Sequence, residues 1–170
     1  LEKPKEFTLR SLKISIQQED FSIDDECAAM RAGHQDIGAL ATFTGLVREQ
    51  DDEKSPGDKV TSLYLEHYPG MTEKKLQEIA EQADQRWPLL DVVIIHRIGE
   101  LKLSEQIVFV AVSSMHREAA FAACAFIMDF LKTQAPFWKK SKSREHEHWV
   151  EAKQSDNKAA EKWADGRDKS

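Results

Sequence analysis

Lys132 and Lys139 stand on either side of Pro136 in the run FLKTQAPFWKK, and no other side chains are better placed by type and spacing to do chemistry. A helical pattern ends near Lys132. This lysine either answers the negative end of the helix dipole and reaches water, or faces a site beyond the last turn. Lys139 follows Pro136, Phe137 and Trp138, and the proline restricts the link enough to bring the two amines together across a short turn. Two ammonium groups sharing a partly buried pocket depress each other's pKa, leaving an amine able to move protons or attack near neutrality. Spacing alone does not decide between that pair and two solvated lysines. From Lys132 to Arg144 there are five basic residues and no acidic one, in a chain whose net charge is -6. The local excess predicts an anionic ligand. The overall balance argues against nucleic acid as a partner.

A second cationic group lies at SSMHR, residues 113–117, where a strand pattern gives way to a helical one. The free N–H groups of a helix start, with His116 and Arg117, make an anion site; alternatively Ser114 is a cap and Arg117 pairs with a carboxylate. On one helix His116 and Lys132 are about 24 Å apart at 1.5 Å per residue, too far for one small substrate. They form separate sites, or a symmetric dimer brings His116 and Arg117 of one chain to the lysines of the other. Arg48 ends an apolar strand before the acidic run EQDDEKSPGD, and faces a cleft or pairs with Glu49 or Asp51. His67, Tyr68, His96 and Arg97 read as structural. His146 and His148 lack the further ligands of a zinc site, and no metal is expected. Cys27 and Cys124 are far apart and in no CxxC, so free buried thiols are expected. Without GxGxxG, Walker or GxSxG patterns, dinucleotide, P-loop and serine-hydrolase chemistry is excluded.

These residues need elements to hold them. Residues 7–17 alternate as a strand, and Ser22 caps a short helix ending at Gly33. GALATFTGLVR, residues 38–48, is apolar on both faces, as a central strand is. Residues 49–58 are an exposed loop or hairpin connection, and 59–67 a second strand. Thr72 caps a helix running to about Trp87; Val92–His96 is a strand, Gly99 a turn and Gln106–Ser113 another strand. The long helix from about His116 to Thr133 has a buried stripe of Phe121, Cys124, Met128 and Leu131. Short extended pieces at 137–140 and 147–153 and a weak helix at 153–163 complete the chain. Strands interleaved with helices predict an α+β or α/β sandwich with a mixed or antiparallel sheet. No run of about 18 apolar residues offers a membrane span, and the first ten residues lack a secretory h-region, so a cytoplasmic location is expected.

The motifs ATFTGLVR (41–48), LEHYPGMTEKKL (65–76), RWPL (86–89), IHRIGEL (95–101), VSSMHR (112–117), FIMDFLKTQAPFWKK (126–140) and HWVEA (148–152) occur in that order. By them the chain resembles the MoaE family, the large subunits of molybdopterin synthase, across about residues 7–163. The resemblance implies an α/β hammerhead fold with an additional α+β subdomain, in a single catalytic domain over 7–163. Residues 49–58 would be an excursion and 164–170 a frayed tail. It also implies a homodimer that binds a small ubiquitin-like, MoaD-like sulfur carrier at each end. The carrier's C-terminal thiocarboxylate would pass sulfur to cyclic pyranopterin monophosphate, forming the dithiolene of molybdopterin with no cofactor in the large subunit. By the same resemblance Lys132 lies near the thiocarboxylate and Lys139 beside the pterin. Arg48 lines the pocket, Met128 forms a wall, and His116 with Arg117 binds substrate phosphate. His148 stands where a familiar form of the motif has arginine. Two other functions use the same lysines: a stand-alone enzyme for a phosphorylated ligand, and a non-catalytic module that grips acidic peptides.

Overall fold

The computed structural model describes residues 9–52, 55–144, 146–151 and 154–164. β5 (Asp91–Arg97) is buried at every position and pairs antiparallel with β7 (Gln106–Ser114). These are the interior strands of a four-stranded sheet, and their near-continuous apolar runs, VVII and IVFVAV, suit strands covered on both faces. β1 (Ser11–Gln17) lies parallel to β5, and β2 (Ala39–Leu46) lies antiparallel to β7, giving the order β1-β5-β7-β2. One face, with Val92, Ile94, Val108, Val110 and Val112, meets α2 (Met71–Arg86) and α3 (Arg117–Gln134). The other, with Val93, Ile95, Phe109 and Ala111, meets α1 (Ile23–Arg31).

A second, antiparallel sheet carries β3 (Asp51–Asp52), β4 (Ser55–His67), β8 (Phe137–Ser143) and β9 (Glu147–Val150) in that order, with β6 (Gly99–Lys102) also paired to β4. Its inner face closes over Val47, Val60, Leu63, Leu65 and Leu101. The last described element is α4 (Gln154–Glu161), and Trp163 just beyond it packs against the main core. This is the α+β arrangement expected, with a mixed sheet and a separate antiparallel one. No described helix is long and apolar enough to cross a membrane.

Several local expectations change. Among the described residues β2 is an edge strand, not a central one: β7 pairs it on one side only. Phe121 does not belong to the buried stripe of α3. Its side chain is 67% exposed, and the stripe runs through Ala120, Ala123, Cys124, Ile127, Met128 and Leu131. Ser22 does cap α1, its Oγ accepting from the Asp25 N–H at 3.2 Å. At α2 the cap is Gly70, whose φ of 82° lies in the left-handed region, and not Thr72. Thr72 Oγ1 instead accepts from the Tyr68 N–H and donates to the Pro136 carbonyl, both at 3.0 Å, tying α2 to the link before β8. β6 follows the turn at Gly99 and had no sequence signal of its own. The acidic excursion pairs as a hairpin at its ends, while Glu53 and Lys54 lie outside the described residues. So do Phe7, Thr8, Ala152, Lys153 and residues 165–170.

Candidate active site

The direction of α3 decides which cations can meet. β7 ends at Ser114 and α3 returns across β7 and β2, with Cys124 Sγ 3.9 Å from the Val110 carbonyl at mid-strand. The helix start therefore lies at the Ser114 end of the sheet and its last turn at the Gln106 end. Lys132 is in that last turn. It is about half exposed and its Nζ is 3.9 Å from Asp156 Oδ1 of α4, a loose ion pair. Met128, one turn earlier, is buried below it.

The chain reverses just beyond. The Ala135 N–H bonds the Leu131 carbonyl at 3.3 Å, and the Phe137 N–H bonds the Ala135 carbonyl at 2.9 Å. The Phe137 ring then stacks on His96, with centroids 3.8 Å apart and planes 17° from parallel. These contacts fix where β8 begins. Lys139 comes two residues later, half-buried, opposite Leu65 of β4 and Val150 of β9. Strand alternation puts it on the same inner face as Phe137 and Ser141, whereas Trp138 and Lys140 point outward. Lys140 is held there by Glu147 at 2.6 Å and lies over the Trp149 ring.

Arg48 reaches the same end by another route. β2 runs antiparallel to β7, so Leu46 sits opposite Gln106. Val47 is pinned to the β6–β7 turn by its N–H on the Glu105 carbonyl at 2.9 Å and its carbonyl on the Ser104 N–H at 2.7 Å. Val47 and Leu65, the neighbour of Lys139, share one apolar cluster. Arg48 is exposed, and among the described residues no side chain pairs with it. Lys132, Lys139, Arg48 and Met128 thus gather at one end of the molecule.

His116 and Arg117 are at the other. His116 is the cap residue of α3, extended and without a side-chain cap bond, and Arg117 is the first helical residue. Both are exposed, and among the described residues neither side chain has a polar partner. Ser114 is not the helix cap. One chain keeps this pair about 22 to 24 Å from Lys132 along α3.

Two features of the site were not expected. His96, at the Gln106 end, is buried, and burial pushes its imidazole down to about 4, with nearby His67 adding to the effect. Its Nδ1 lies 2.8 Å from the Arg97 carbonyl, which can only accept, so the proton of the neutral ring sits on Nδ1. The sequence marked His96 as structural, with no sign that it underlies the start of β8. The partner of Lys132, Asp156, falls in a weakly patterned helix that nothing in the sequence linked to α3. His148 is half-buried opposite Ser141.

Comparison with known proteins gives one answer throughout. A family profile described as MoaE protein matches residues 16–134. A molybdopterin synthase catalytic subunit of Vibrio cholerae is 53% identical over 151 residues, 89% of this chain and 97% of that one. A solved molybdopterin biosynthesis MoaE protein from Burkholderia ambifaria superposes with a TM-score of 0.75 at 49% identity, covering 90% of this chain and 98% of that one. A solved molybdopterin synthase from Staphylococcus aureus gives a TM-score of 0.71 at 33% identity, over 81% of this chain and 96% of that one. The profile covers the strand ending before Arg48 and the whole of α3, and the relatives cover nearly the full chain: the chain belongs to the MoaE family.

Proposed function

We propose that this chain is the catalytic subunit of a molybdopterin synthase, taking sulfur from the C-terminal thiocarboxylate of a small ubiquitin-like partner and transferring it to cyclic pyranopterin monophosphate. The observation that carries the reading is the gathering of Lys132, Lys139 and Arg48 at one end of an acidic protein. Such a site suits two anions, a substrate phosphate and a peptide tail. The tail's sulfur bonds a side-chain carbon of the pterin as a carbon–oxygen bond at that carbon breaks, giving a thioester. Water then cleaves the acyl–sulfur bond, so the tail leaves as carboxylate and the sulfur stays on the pterin. These steps need proton transfers and a stabilised negative charge. Lysines supply both. In this reading Lys132 meets the incoming tail, Lys139 lies beside the pterin, Arg48 closes the rim and Met128 forms the apolar wall. Two rounds of transfer give the dithiolene.

His116 and Arg117 hold the substrate phosphate in the site of a second protomer. Support comes from uncovered apolar side chains: Met115 and Phe121 beside them are 58% and 67% exposed, and Phe43 and Leu46, further along the edge strand β2 toward the lysine end, are 40% and 53% exposed. Apolar side chains on the unpaired edge and on the adjoining helix suit a two-fold contact between copies.

The test mixes the folded chain with thiocarboxylated small subunit and cyclic pterin and looks for the dithiolene product. Product should form, and Lys132→Ala or Lys139→Ala should lower its rate by about a hundredfold or more, the scale of losing a group that acts in the transition state. A folded wild-type protein that gives no product refutes the reading.

A further inference from the structure

The segment leading into α3 is held from three sides by groups that take no part in the sulfur-transfer chemistry. Ser114 is fully buried, yet Arg117, just beyond it, is exposed. Ser114 Oγ donates to the Pro88 carbonyl at 2.8 Å and lies 3.4 Å from the His116 N–H. The Ser114 carbonyl accepts from the Gly38 N–H at 3.0 Å. Gly38 approaches so closely that a Cβ on it would stand 2.0 Å from the Met115 carbonyl oxygen and 3.0 Å from the carbonyl carbon. Both are backbone atoms, so no other residue fits unless Met115 moves.

Ser113 is locked as well. Its Oγ donates to Asp91 Oδ2 at 2.8 Å and accepts from the Asp91 N–H at 2.9 Å, while its carbonyl accepts from the Leu90 N–H at 2.9 Å. Asp91 is itself buried and takes hydrogen bonds from the Arg10 guanidinium on both oxygens. Arg10 reaches on to Asp36 in the loop before Gly38, closing a ring from β1 to the start of β2. Buried polar groups are stabilising only when fully partnered, so this assembly specifies one geometry. α3 does not need it for docking, because the helix is already anchored by its apolar stripe. What the assembly fixes is the point from which His116 and Arg117 project.

We propose that Ser114 and Gly38 are positioning residues for substrate binding: they fix the Ser114–Met115 backbone so that His116, Arg117 and the free N–H groups of α3 meet a phosphate in one arrangement. The inference rests on the reading of His116 and Arg117 as the phosphate-binding pair. Without the Ser114 hydroxyl the helix stays docked, but its first residues move by enough to misplace a charge on its ligand.

The test is steady-state kinetics of the dimeric chain with its thiocarboxylated partner. Ser114→Ala and Gly38→Ala should each raise KM for the cyclic pterin by about tenfold while kcat changes by less than about twofold, the pattern of lost uniform binding. Arg117→Ala serves as reference and should raise KM at least as far. Because Ser114 acts partly through Arg117, Ser114→Ala combined with Arg117→Ala should raise KM by less than the product of the two single effects. Should Ser114→Ala not fold, Ser114→Cys, nearly the same shape with a weaker donor, takes its place. If Arg117→Ala raises KM and the Ser114 variants do not, or if the two effects multiply, the inference is wrong. A fall in kcat at unchanged KM, the sign of a smaller folded fraction, also overturns it. If Arg117→Ala leaves KM unchanged, the phosphate-binding reading fails first.

Discussion

At His96 burial, stacking and hydrogen bonding combine in one side chain. The ring faces Phe137, gives its Nδ1 proton to the Arg97 carbonyl, and stays neutral down to about pH 4, against an ordinary value of 6.5. Between those values the unfolded chain binds a proton that the native state refuses, so stability rises with pH through this window. The contribution is complete above about 6.5 and is lost as pH falls toward 4. By pH 5 the loss is about 2 kcal/mol. Urea unfolding at pH 7 and pH 5 should therefore show a drop about 2 kcal/mol larger for wild type than for His96→Phe, which keeps the stack without the titration. Equal drops would show that some other group carries the acid sensitivity. Residue type alone marked His96 and Arg97 as structural, and both are buried. It could not show that His96 supports the strand bearing Lys139, because that contact joins residues far apart in sequence.

Among the elements, α3 was legible as a helix from its spacing, but its surroundings were not. Phe121 sits at a helical interval from Cys124 and Met128, which is why periodicity assigns it to the core. In the structure α3 turns that side chain to the surface, and the smaller Ala119, Ala120 and Ala123 do the packing. β2 misleads in the same way. An uncharged strand reads as central, yet it lies at an edge with Phe43 exposed. α4, weak by pattern, is placed by the tryptophan just past its end. Trp163 donates Nε1–H to Asp129 Oδ2 at 2.7 Å, packs edge-on against Trp87 and Phe126, and accepts from Arg86 on its carbonyl at 3.1 Å. Lys162 adds a 2.9 Å contact to the same Asp129. A half-buried tryptophan with these contacts contributes less than a fully buried one, and Trp163→Ala should cost about 2 kcal/mol in urea unfolding. A cost below about 0.5 kcal/mol, the range of surface changes, would mean that α4 is not docked in solution.

For the molecule as a whole, the sequence showed that two cationic groups exist and that one helix keeps them apart. The fold adds which group Arg48 joins, something only strand direction could decide. It also places uncovered apolar side chains beside His116 and Arg117, and nothing in the sequence marked these as surface. If the active site spans two protomers, defects on opposite halves must complement. Lys132→Ala removes one half from every site of its homodimer, and Arg117→Ala removes the other, so each is strongly impaired alone when the cyclic pterin is held below the wild-type KM. In a mixed dimer with sites shared between chains, one site carries both lesions and the other carries none. Random reassembly of equal amounts makes about half of all dimers mixed, each with one intact site of two, so activity should return to about a quarter of wild type. The measurement is dithiolene formation at that pterin concentration, before and after the two impaired proteins are unfolded together and refolded. If every site lay within one chain, each site in every dimer would keep a lesion, and refolding would restore nothing. The same experiment with Lys132→Ala and Lys139→Ala is the internal control. Those lysines belong to one group at one end of the fold, so their mixture should stay as inactive as its parents.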